Sequence, residues 1–209
     1  MYKNRFDAAQ QLLPYLEKYR KEDGVVLAIP RGSVPIAFLI SRHLLFPLDL
    51  MMTKKIGYPC NPEFAVGSVS LIGRILDPRK DIDSDYINEE TARIRELLHD
   101  QYERFMGDQK PVSLTNKTVI LVDDGIATGY TMLESIQMVR DQNPKKIVVV
   151  VPVAPAEAAD YFRYRVDEFI CLHQARDFKS VGQYYKDFSP VTDDEVIYWI
   201  HEGQHQPRS

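Results

Sequence analysis

Three short, wholly apolar runs constrain the fold of this chain more than any other feature. The sequence contains GVVLAIP at 24–30, VILV at 119–122 and IVVVVPVA at 147–154, each bounded by polar or turn-forming residues. Runs of this kind are typical of strands that are buried on both faces of a parallel sheet. Segments with helical spacing of apolar residues follow them along the chain. This alternation predicts an α/β fold with a doubly wound, mostly parallel sheet.

The segments outside these runs predict the rest of a single domain over 1–209. Apolar residues at helical spacing between 6 and 16 predict an amphipathic helix, which Pro14 should kink or split. A second strand at 48–57 should run into a basic turn, and EFAVGSVSLIGRIL at 63–76 is typical of an exposed strand or a hairpin. We expect a mobile hood, a flexible loop plus a long helix, from about 68 to 113, and a C-terminal extension from about 172 to 209.

Composition and charge exclude several classes of function. The 209 residues include 26 basic and 30 acidic side chains, so the net charge of −4 provides no global basic field for nucleic acid. Cys60 and Cys171 lack CxxC spacing, which favours reduced thiols over a disulfide framework or a zinc site. The charged N-terminus is unlike a signal peptide, and no apolar run has the roughly 20 residues of a membrane helix. We therefore expect a soluble, cytoplasmic protein that binds neither nucleic acid nor membranes.

The stretch VILVDDGIATGYT, at 119–131, carries the strongest functional signal. Asp123 and Asp124 follow a buried strand, and ligands of doubly wound sheets bind beyond the carboxyl ends of the strands. Gly125 and Gly129 have no Cβ and allow a ligand to approach the backbone closely. The next helix should begin here, where free amides and the helix dipole attract an anion. The expected phosphate-binding residues are Gly125, Ile126, Ala127, Thr128, Gly129 and Thr131.

The motif therefore predicts a site with two sides. One side binds a phosphate, and on the other side the two carboxylates accept hydrogen bonds from sugar hydroxyls. A phosphorylated sugar would match both sides. The alternative is an ordinary strand-to-helix turn in which one aspartate caps the helix. The motifs GxxxxGK[ST], GxGxxG and GxSxG are absent, which disfavours ATP P-loop proteins, dinucleotide-binding proteins and α/β-hydrolases.

Residues 119–131 resemble the diphosphoribosyl-binding motif of the type I phosphoribosyltransferases: four apolar residues, two acids and a small Thr/Gly loop. Gly125 is the one departure, since the family more often has an apolar residue there. The segments FDAAQQLLPYL, AIPRGSVPIA, KKIGYPCNPEFAVGSV and VGQYYKDFSPVTDDEV also resemble one bacterial-type branch of phosphoribosyltransferase-like proteins. The resemblance covers nearly the whole chain and implies the fold of that family and the use of phosphoribosyl diphosphate.

The resemblance implies a pyrophosphate loop in the turn PRGS at 30–33, which follows the first core strand and often contains a non-proline cis peptide in this family. Arg31 would supply charge there, and the turn, which includes Gly32, would present backbone amides to the pyrophosphate. Lys54 and Lys55 follow the next strand, and at least one of them would reach the diphosphate. Judged by residue type alone, an ordinary turn with a solvated Arg31 and a solvated lysine pair are the alternatives.

The family also has a hood that closes over the reacting centre, and Arg74 and Arg79 lie in the corresponding region. Such a loop excludes water and brings late cationic contacts to the departing diphosphate. Glu63 would either face the same cleft or form a turn. Asp123 and Asp124 would hold the ribose 2- and 3-hydroxyls, directly or through Mg²⁺, whose preferred ligands are hard carboxylate and diphosphate oxygens.

The identity of the acceptor depends on Ala127 and on the aromatic tail. Relatives that act on 6-oxopurines typically have Asp at the position of Ala127, so the resemblance disfavours a 6-oxopurine acceptor. Phe178, Tyr184 and Tyr185 are candidates for stacking a flat base. The alternative is that these aromatic residues pack the C-terminal segment onto the sheet.

Together these residues support a Mg²⁺-dependent phosphoribosyltransferase that joins a nitrogenous acceptor, such as a nucleobase, to phosphoribosyl diphosphate. The alternative is a non-catalytic binding or regulatory protein of the same fold, since fold alone does not decide function. A sugar-phosphate enzyme of another class would require the motif to be accidental. The sequence does not indicate an oligomeric state, and a homodimer is the default expectation.

Overall fold

The computed structural model describes residues 1–59, 61–80 and 82–204, apart from the side chains of Pro62, Glu63 and Gln204. In chain order its strands are β1 (Gly24–Ala28), β2 (Leu48–Leu50), β3 (Thr53–Tyr58), β4 (Asn61–Ser70), β5 (Arg74–Leu76), β6 (Thr118–Val122), β7 (Lys146–Pro155) and β8 (Glu168–Ala175). Its helices are α1 (Arg5–Leu16), α2 (Val34–Leu44), α3 (Ser84–Met106), α4 (Tyr130–Arg140), α5 (Ala156–Arg163) and α6 (Asp193–Gln204).

The central sheet has five parallel strands in the order β2-β1-β6-β7-β8, which confirms the predicted fold class. Every residue of β1 and β6 is buried, as their apolar sequences require. Alternate side chains of these strands enter two cores. One core includes Val26 and Ile120 with α1, α2, α3 and α6, and the other includes Val25 and Val119 with α4 and α5. The sheet is therefore covered on both faces.

A smaller sheet of three antiparallel strands, in the order β3-β4-β5, stands beside the central sheet and packs on α3. The predicted hairpin at 63–76 is present as the β4–β5 pair. The predicted single strand at 48–57 is wrong, because the chain leaves the central sheet after Leu50 and re-enters a strand at Thr53. Lys54 and Lys55 consequently lie within β3 and not in a turn.

The ends of the chain form helices that cover one face of the sheet. The helix α1 continues through Pro14 and passes into a 3-10 turn at Glu17–Tyr19, so the proline does not split it. The aromatic C-terminal extension contains a second 3-10 turn, Val181–Tyr184, and then α6, which packs against α2 and α3. In the described part of the chain, no helix is both long and apolar enough to span a membrane.

Candidate active site

The pairing of β1 with β6 brings the two predicted loops together. In this pairing Ala28 lies opposite Val122, so the turn at 30–33 and the loop that begins at Asp123 leave the same edge of the sheet side by side. Asp123 and Asp124 therefore lie between the residues proposed for the two phosphate-bearing ends of the substrate. This placement is the one that ligand binding at the carboxyl ends of parallel strands requires.

The loop that precedes α4 surrounds a cavity of about 150 Å³. The residues that line it are Asp123, Gly125, Ile126, Ala127, Thr128, Gly129, Thr131 and Met132. Gly129 has φ 78°, in the left-handed region that favours glycine, and α4 begins at the next residue. The amides of Ala127, Thr128 and Gly129 have no hydrogen-bond partner among the described residues, so they are free for an anion. The structure thus brings all six predicted phosphate-loop residues around one small cavity.

Ile126 lines the phosphate-loop cavity but does not offer a free amide to a phosphate. Its side chain is 2% exposed and belongs to the core between the sheet and α4. Its amide donates to the Val153 carbonyl oxygen at 2.9 Å and is not free for a phosphate. Ile126 therefore anchors the loop to β7, and although it lines the cavity, its amide is not available to a phosphate.

The carboxylate of Asp124 is fixed by residues from both ends of the chain. Arg5 of α1 donates to Asp124 Oδ2 from Nε at 3.0 Å and lies 2.9 Å from it through Nη2. The same guanidinium donates to the Ser189 carbonyl oxygen at 2.8 Å and stacks over the Phe188 ring at 4.0 Å. Tyr185 donates from its hydroxyl to the Asp124 carbonyl oxygen at 2.7 Å. Asp124 therefore has both its side chain and its backbone held in place.

Burial dominates the ionisation of the two aspartates. Burial raises the pKa of Asp123 well above its ordinary value, the neighbouring charge of Asp124 raises it further, and Arg5 opposes both effects. Burial also raises the pKa of Asp124, against which the Arg5 guanidinium acts by charge and by hydrogen bonding. Arg5 therefore favours the charged form of the carboxylates in a site that would otherwise favour the neutral form.

A second cavity, of about 320 Å³, opens beside the pyrophosphate loop. Its lining comprises Ile29, Pro30, Arg31, Met51, Met52, Thr53, Lys54, Lys55, Ser68, Leu98, Gln101, Thr131 and Glu134. Three predicted cationic side chains, Arg31, Lys54 and Lys55, thus border one space, and Thr131 is shared with the phosphate-loop cavity. The peptide bond between Pro30 and Arg31 is cis, as the family resemblance implies.

The two lysines of β3 occupy different positions around this cavity. Successive side chains of a strand point to opposite faces, so Lys54 shares its face with Ile56, which is fully buried in the core that includes α3. Lys55 is on the other face, where its charge acts on Glu134 of α4. Burial raises the pKa of Glu134, and Lys55 partly offsets that effect. The two lysines therefore differ in their surroundings, because Lys55 is on the strand face near Glu134 and Lys54 is on the opposite face.

The predicted hood arginines do not reach either cavity. Arg74 donates to Asn88 Oδ1 at 2.9 Å and to Thr91 Oγ1 at 3.3 Å, so its guanidinium is bound to α3. Residues 74–76 form a strand whose first side chain packs toward the long helix, and the pyrophosphate-binding role of Arg74 stays a prediction. Arg79, whose side chain is exposed, pairs with Asp77 at 2.9 Å. The side chain of Glu63 lies outside the described part of the structure.

The aromatic residues of the tail pack onto the domain. Tyr185 is 5% exposed, with its ring 5.3 Å from that of Tyr2 and 4.9 Å from that of Phe188. Tyr184 stacks on Phe178 at 5.9 Å and lines a separate cavity beside α1. These contacts favour the alternative that the aromatic residues pack the C-terminal segment onto the domain. Tyr185 is covered by other rings, and neither Phe178 nor Tyr184 lines the two site cavities, so the base-stacking role stays a prediction.

The carboxylates retain acceptors that suit a hard cation. Asp123 Oδ1 accepts the amide of Asp124 at 2.8 Å, and Asp124 Oδ2 accepts from Arg5, which leaves one oxygen on each carboxylate without a partner among the described residues. No group of three or more His, Cys, Asp or Glu side chains that could hold a metal occurs in the described part of the chain. A cation here would complete its shell with substrate oxygens and water, which is the mode that Mg²⁺ favours.

Two residues that fix Asp124 were not predicted from the sequence. Arg5 holds the carboxylate of Asp124, and Tyr185 holds its backbone carbonyl group. A signal for Arg5 was present, because residues 5, 9, 12 and 16 form one stripe of α1 whose other members are Ala9, Leu12 and Leu16, all fully buried. A charged residue on an otherwise apolar stripe requires a buried partner.

This chain is similar in sequence to known proteins of the family that residues 119–131 resemble. Two proteins from strains of Mycobacterium tuberculosis, both named "Putative phosphoribosyl transferase", are 34% identical to this chain over 205 residues. The alignment covers 96% of this chain and 46% of each relative, so the chain spans about half the length of these curated relatives.

Two solved structures extend the comparison. The crystal structure of TT1426 from Thermus thermophilus is 36% identical, with a TM-score of 0.83 over 96% of this chain and 98% of that one. A hypothetical protein from Neisseria gonorrhoeae, solved with bound ppGpp, has a TM-score of 0.51 over 97% of this chain and 96% of its own, at 12% identity, and shares the fold alone. The family model of the phosphoribosyl transferase domain matches residues 4–187. The predicted family is thereby confirmed, and the chain belongs to the phosphoribosyl transferase domain family.

Proposed function

We propose that this chain is a Mg²⁺-dependent phosphoribosyltransferase that transfers ribose 5-phosphate from phosphoribosyl diphosphate to a nitrogenous acceptor, a nucleobase, and releases pyrophosphate. The observation that carries the proposal is the pair of adjoining cavities that share Thr131. One is built from the free amides and hydroxyls of the phosphate loop, and the other is bordered by Arg31, Lys54 and Lys55. A substrate with a monophosphate at one end and a diphosphate at the other matches both.

The two aspartates lie between those ends and match the ribose. Asp123 lines the phosphate-loop cavity, and Asp124 contacts the pyrophosphate loop at Gly32. Carboxylate oxygens accept hydrogen bonds from hydroxyl groups, so this pair is suited to the ribose 2- and 3-hydroxyls. Both ends of the substrate would then be bound by donors and its middle by acceptors.

The chemistry that this arrangement supports is a substitution at C1 of the ribose. The bond from C1 to the diphosphate oxygen breaks and its electron pair leaves with pyrophosphate, while a lone pair of the acceptor nitrogen forms the new bond to C1. The proton displaced from that nitrogen leaves with solvent or pyrophosphate. Asp123 and Asp124 provide negative charge beside the carbon that becomes positive, and Arg31, Lys54 and Lys55 provide positive charge where the leaving group becomes more negative.

The residues present fit Mg²⁺ through the free carboxylate oxygens of Asp123 and Asp124, directly or through water and substrate oxygens. When bound, Mg²⁺ would neutralise charge on the diphosphate and make pyrophosphate a better leaving group. Arg5 keeps Asp124 oriented for that role from the opposite side, through Oδ2. The acceptor side is open at Ala127, which is exposed at the rim of the phosphate loop and has no carboxylate for a 6-oxopurine ring.

The test is calorimetric titration of phosphoribosyl diphosphate with and without Mg²⁺, followed by measurement of pyrophosphate release with a panel of free bases. We expect Mg²⁺-dependent binding, and turnover with a base other than hypoxanthine or guanine. The double variant Asp123→Asn with Asp124→Asn should lose most of the binding while circular dichroism shows a retained fold. The double variant Asp85→Asn with Asp108→Asn, at exposed sites away from the cavities, is the matched control and should bind normally.

Binding without release of pyrophosphate with any base would replace the enzyme by a non-catalytic binding protein of the same fold. Unchanged affinity in the Asp123/Asp124 double variant would remove the ribose assignment. Absence of binding by the unmodified chain would overturn the proposed function as a whole.

A further inference from the structure

One ion-pair network links the C-terminal helix to the pyrophosphate loop. Asp193, the first residue of α6, accepts from Arg31 Nη1 through Oδ1 at 3.0 Å and lies 3.1 Å from Arg104 Nη1 through Oδ2. Arg31 belongs to the pyrophosphate loop, and Arg104 belongs to the last turn of α3. The family match ends at residue 187, so the carboxylate that contacts Arg31 comes from a segment outside the matched region.

The start of α6 is held rigidly enough to place that carboxylate. Thr192 and Glu195 close its first turn reciprocally: the Glu195 amide donates to Thr192 Oγ1 at 3.2 Å, and the Thr192 amide donates to Glu195 Oε2 at 2.8 Å. Further along, Val196 and Ile200 are buried, and Trp199 packs its ring against those of Phe6 and Phe38. The helix is therefore docked on α1 and α2, and Asp193 has a defined position.

The hydrogen-bonding capacity of Arg31 is only partly used by this contact. A guanidinium has five N–H donors, and in the described structure Arg31 makes one side-chain hydrogen bond, the one to Asp193. Its side chain is 52% exposed and borders the diphosphate cavity. The remaining donors are available to a phosphate oxygen while Asp193 holds the other end of the fork.

The second partner connects the same carboxylate to another wall of that cavity. Arg104 lies three residues after Gln101 on α3, and Gln101 and Leu98 line the diphosphate cavity. Residues three apart are neighbours on one helix face. Asp193 thus holds together the pyrophosphate loop on one side of the cavity and the helix that forms its other side.

We propose that Asp193 is a positioning residue for the diphosphate, holding the Arg31 guanidinium at the mouth of the cavity so that its free N–H groups meet the leaving group. This inference rests on the proposed function, because it assumes that the cavity takes a diphosphate. Pre-orientation matters here because a half-exposed arginine has many rotamers, and ordering it on binding costs conformational entropy. Asp193 acts through Arg31 and does not itself touch the substrate.

The experiment compares two probes, Mg²⁺-pyrophosphate and ribose 5-phosphate, by calorimetry on the full chain. Asp193→Ala should weaken pyrophosphate binding about threefold to fivefold, the range expected for losing one exposed charged contact, and should leave ribose 5-phosphate binding unchanged. Asp193→Asn, which keeps an acceptor oxygen, should lie between Asp193→Ala and the unmodified chain. Asp194→Asn is the matched control, since Asp194 lies on the same turn and its side chain has no hydrogen bond in the described structure.

A second pair of variants shows whether the effect passes through Arg31. In an Arg31→Ala background, Asp193→Ala should no longer weaken pyrophosphate binding, because the residue that it positions is absent. Tighter pyrophosphate binding by Asp193→Ala in the unmodified background would show that Asp193 competes with the diphosphate, and equal loss of both probes would show a merely structural role. Either outcome overturns the inference. If the unmodified chain binds ribose 5-phosphate and phosphoribosyl diphosphate but the Asp193 variants bind pyrophosphate normally, this inference fails while the proposed function stands.

Discussion

The carboxylate of Asp124 occupies the space in which a side chain on Gly32 would begin. A Cβ built on Gly32 would lie 2.1 Å from Asp124 Oδ2 and 2.8 Å from its Cγ, and 3.3 Å from Arg5 Nη2. Gly32 is therefore required by the packing of the Arg5–Asp124 pair against the pyrophosphate loop. Any larger residue at 32 must displace the aspartate, the loop or both.

We predict that Gly32→Ala weakens binding of Mg²⁺-phosphoribosyl diphosphate about tenfold or more, because a displacement of Asp124 would disturb both the proposed ribose contact and the proposed diphosphate contact. Calorimetry measures the affinity, and thermal unfolding measures whether the domain stays folded. Gly73→Ala is the matched control, since a Cβ there would meet only Met138 at an ordinary distance of 3.5 Å. If Gly32→Ala and Gly73→Ala bind with equal affinity, the loop can move to accommodate the Cβ at position 32 without disturbing the site.

Arg5→Ala should destabilise the domain by about 2–3 kcal/mol, because it leaves the carboxylate of Asp124, which is 14% exposed, without its cation. Arg5→Lys keeps the charge but loses the fork that reaches Asp124 and Ser189 together, so we expect an intermediate loss. Urea unfolding measures the stability, and calorimetry measures the accompanying loss of affinity for phosphoribosyl diphosphate. Arg20→Ala, at an exposed pair with Glu17, is the control and should cost at most about 1 kcal/mol. Equal stability of Arg5→Ala and Arg20→Ala would show that the contact between Arg5 and Asp124 does not stabilise the domain.

The sequence predicted those parts of the site that are contiguous in the chain. Residues 119–131 contain the strand, the carboxylates and the loop in one stretch, and each has a local physical signature: apolar β-branched residues, acids at a strand end, and glycines and threonines at a helix start. The turn at 30–33 follows an equally clear strand. In both cases local chemistry and the direction of a parallel strand are sufficient to place the residues at the same edge.

Contacts between distant segments did not follow from such local patterns. Arg5 is 119 residues from Asp124, and Arg31 is 162 residues from Asp193, and their meeting depends on how α1 and α6 dock on the sheet. Lys54 and Lys55 were misplaced for a related reason. The three residues of β2 are too few for a periodic pattern to mark their end, and the chain changes from one sheet to another within Met51 and Met52.

Thr128→Ala should weaken binding of ribose 5-phosphate by about 1–3 kcal/mol if its hydroxyl donates to the phosphate, as its place on the wall of the phosphate-loop cavity indicates. Thr128→Ser retains the hydroxyl and should restore most of that loss. Calorimetry with ribose 5-phosphate is the measurement. Thr115→Ala is the control, because Thr115 is exposed, donates to the Gln142 carbonyl oxygen and lies outside the cavity. Equal affinity of all three variants would exclude a hydroxyl contact.

Asp49, in the centre of β2, gives a prediction for the pH dependence of stability. Asp49 is 2% exposed. Its carboxylate accepts hydrogen bonds from the Tyr102 hydroxyl, the Leu50 amide and the Val112 amide, each at 2.7 Å. These bonds join β2 to α3 and to the segment that follows α3. Burial raises the pKa of Asp49, and the three donors offset part of that effect. Between the ordinary aspartate pKa of about 3.9 and this raised value, the folded state binds more protons than the unfolded state. The contribution of Asp49 to stability must therefore decrease as pH rises through that window.

Asp49→Asn removes this titration and also leaves a mismatch, because an amide group cannot accept from all three donors. We expect the variant to be less stable than the unmodified protein by about 1–3 kcal/mol at about pH 4, and the difference to shrink as pH rises to about 7. Urea unfolding of both proteins across this pH range measures the difference directly. Tyr102→Phe should enhance the trend in the protein that retains Asp49, since the loss of one donor raises the carboxyl pKa further. A stability difference that grows as pH rises across this range would mean that the three hydrogen bonds outweigh burial and that Asp49 is stabilised in its charged form.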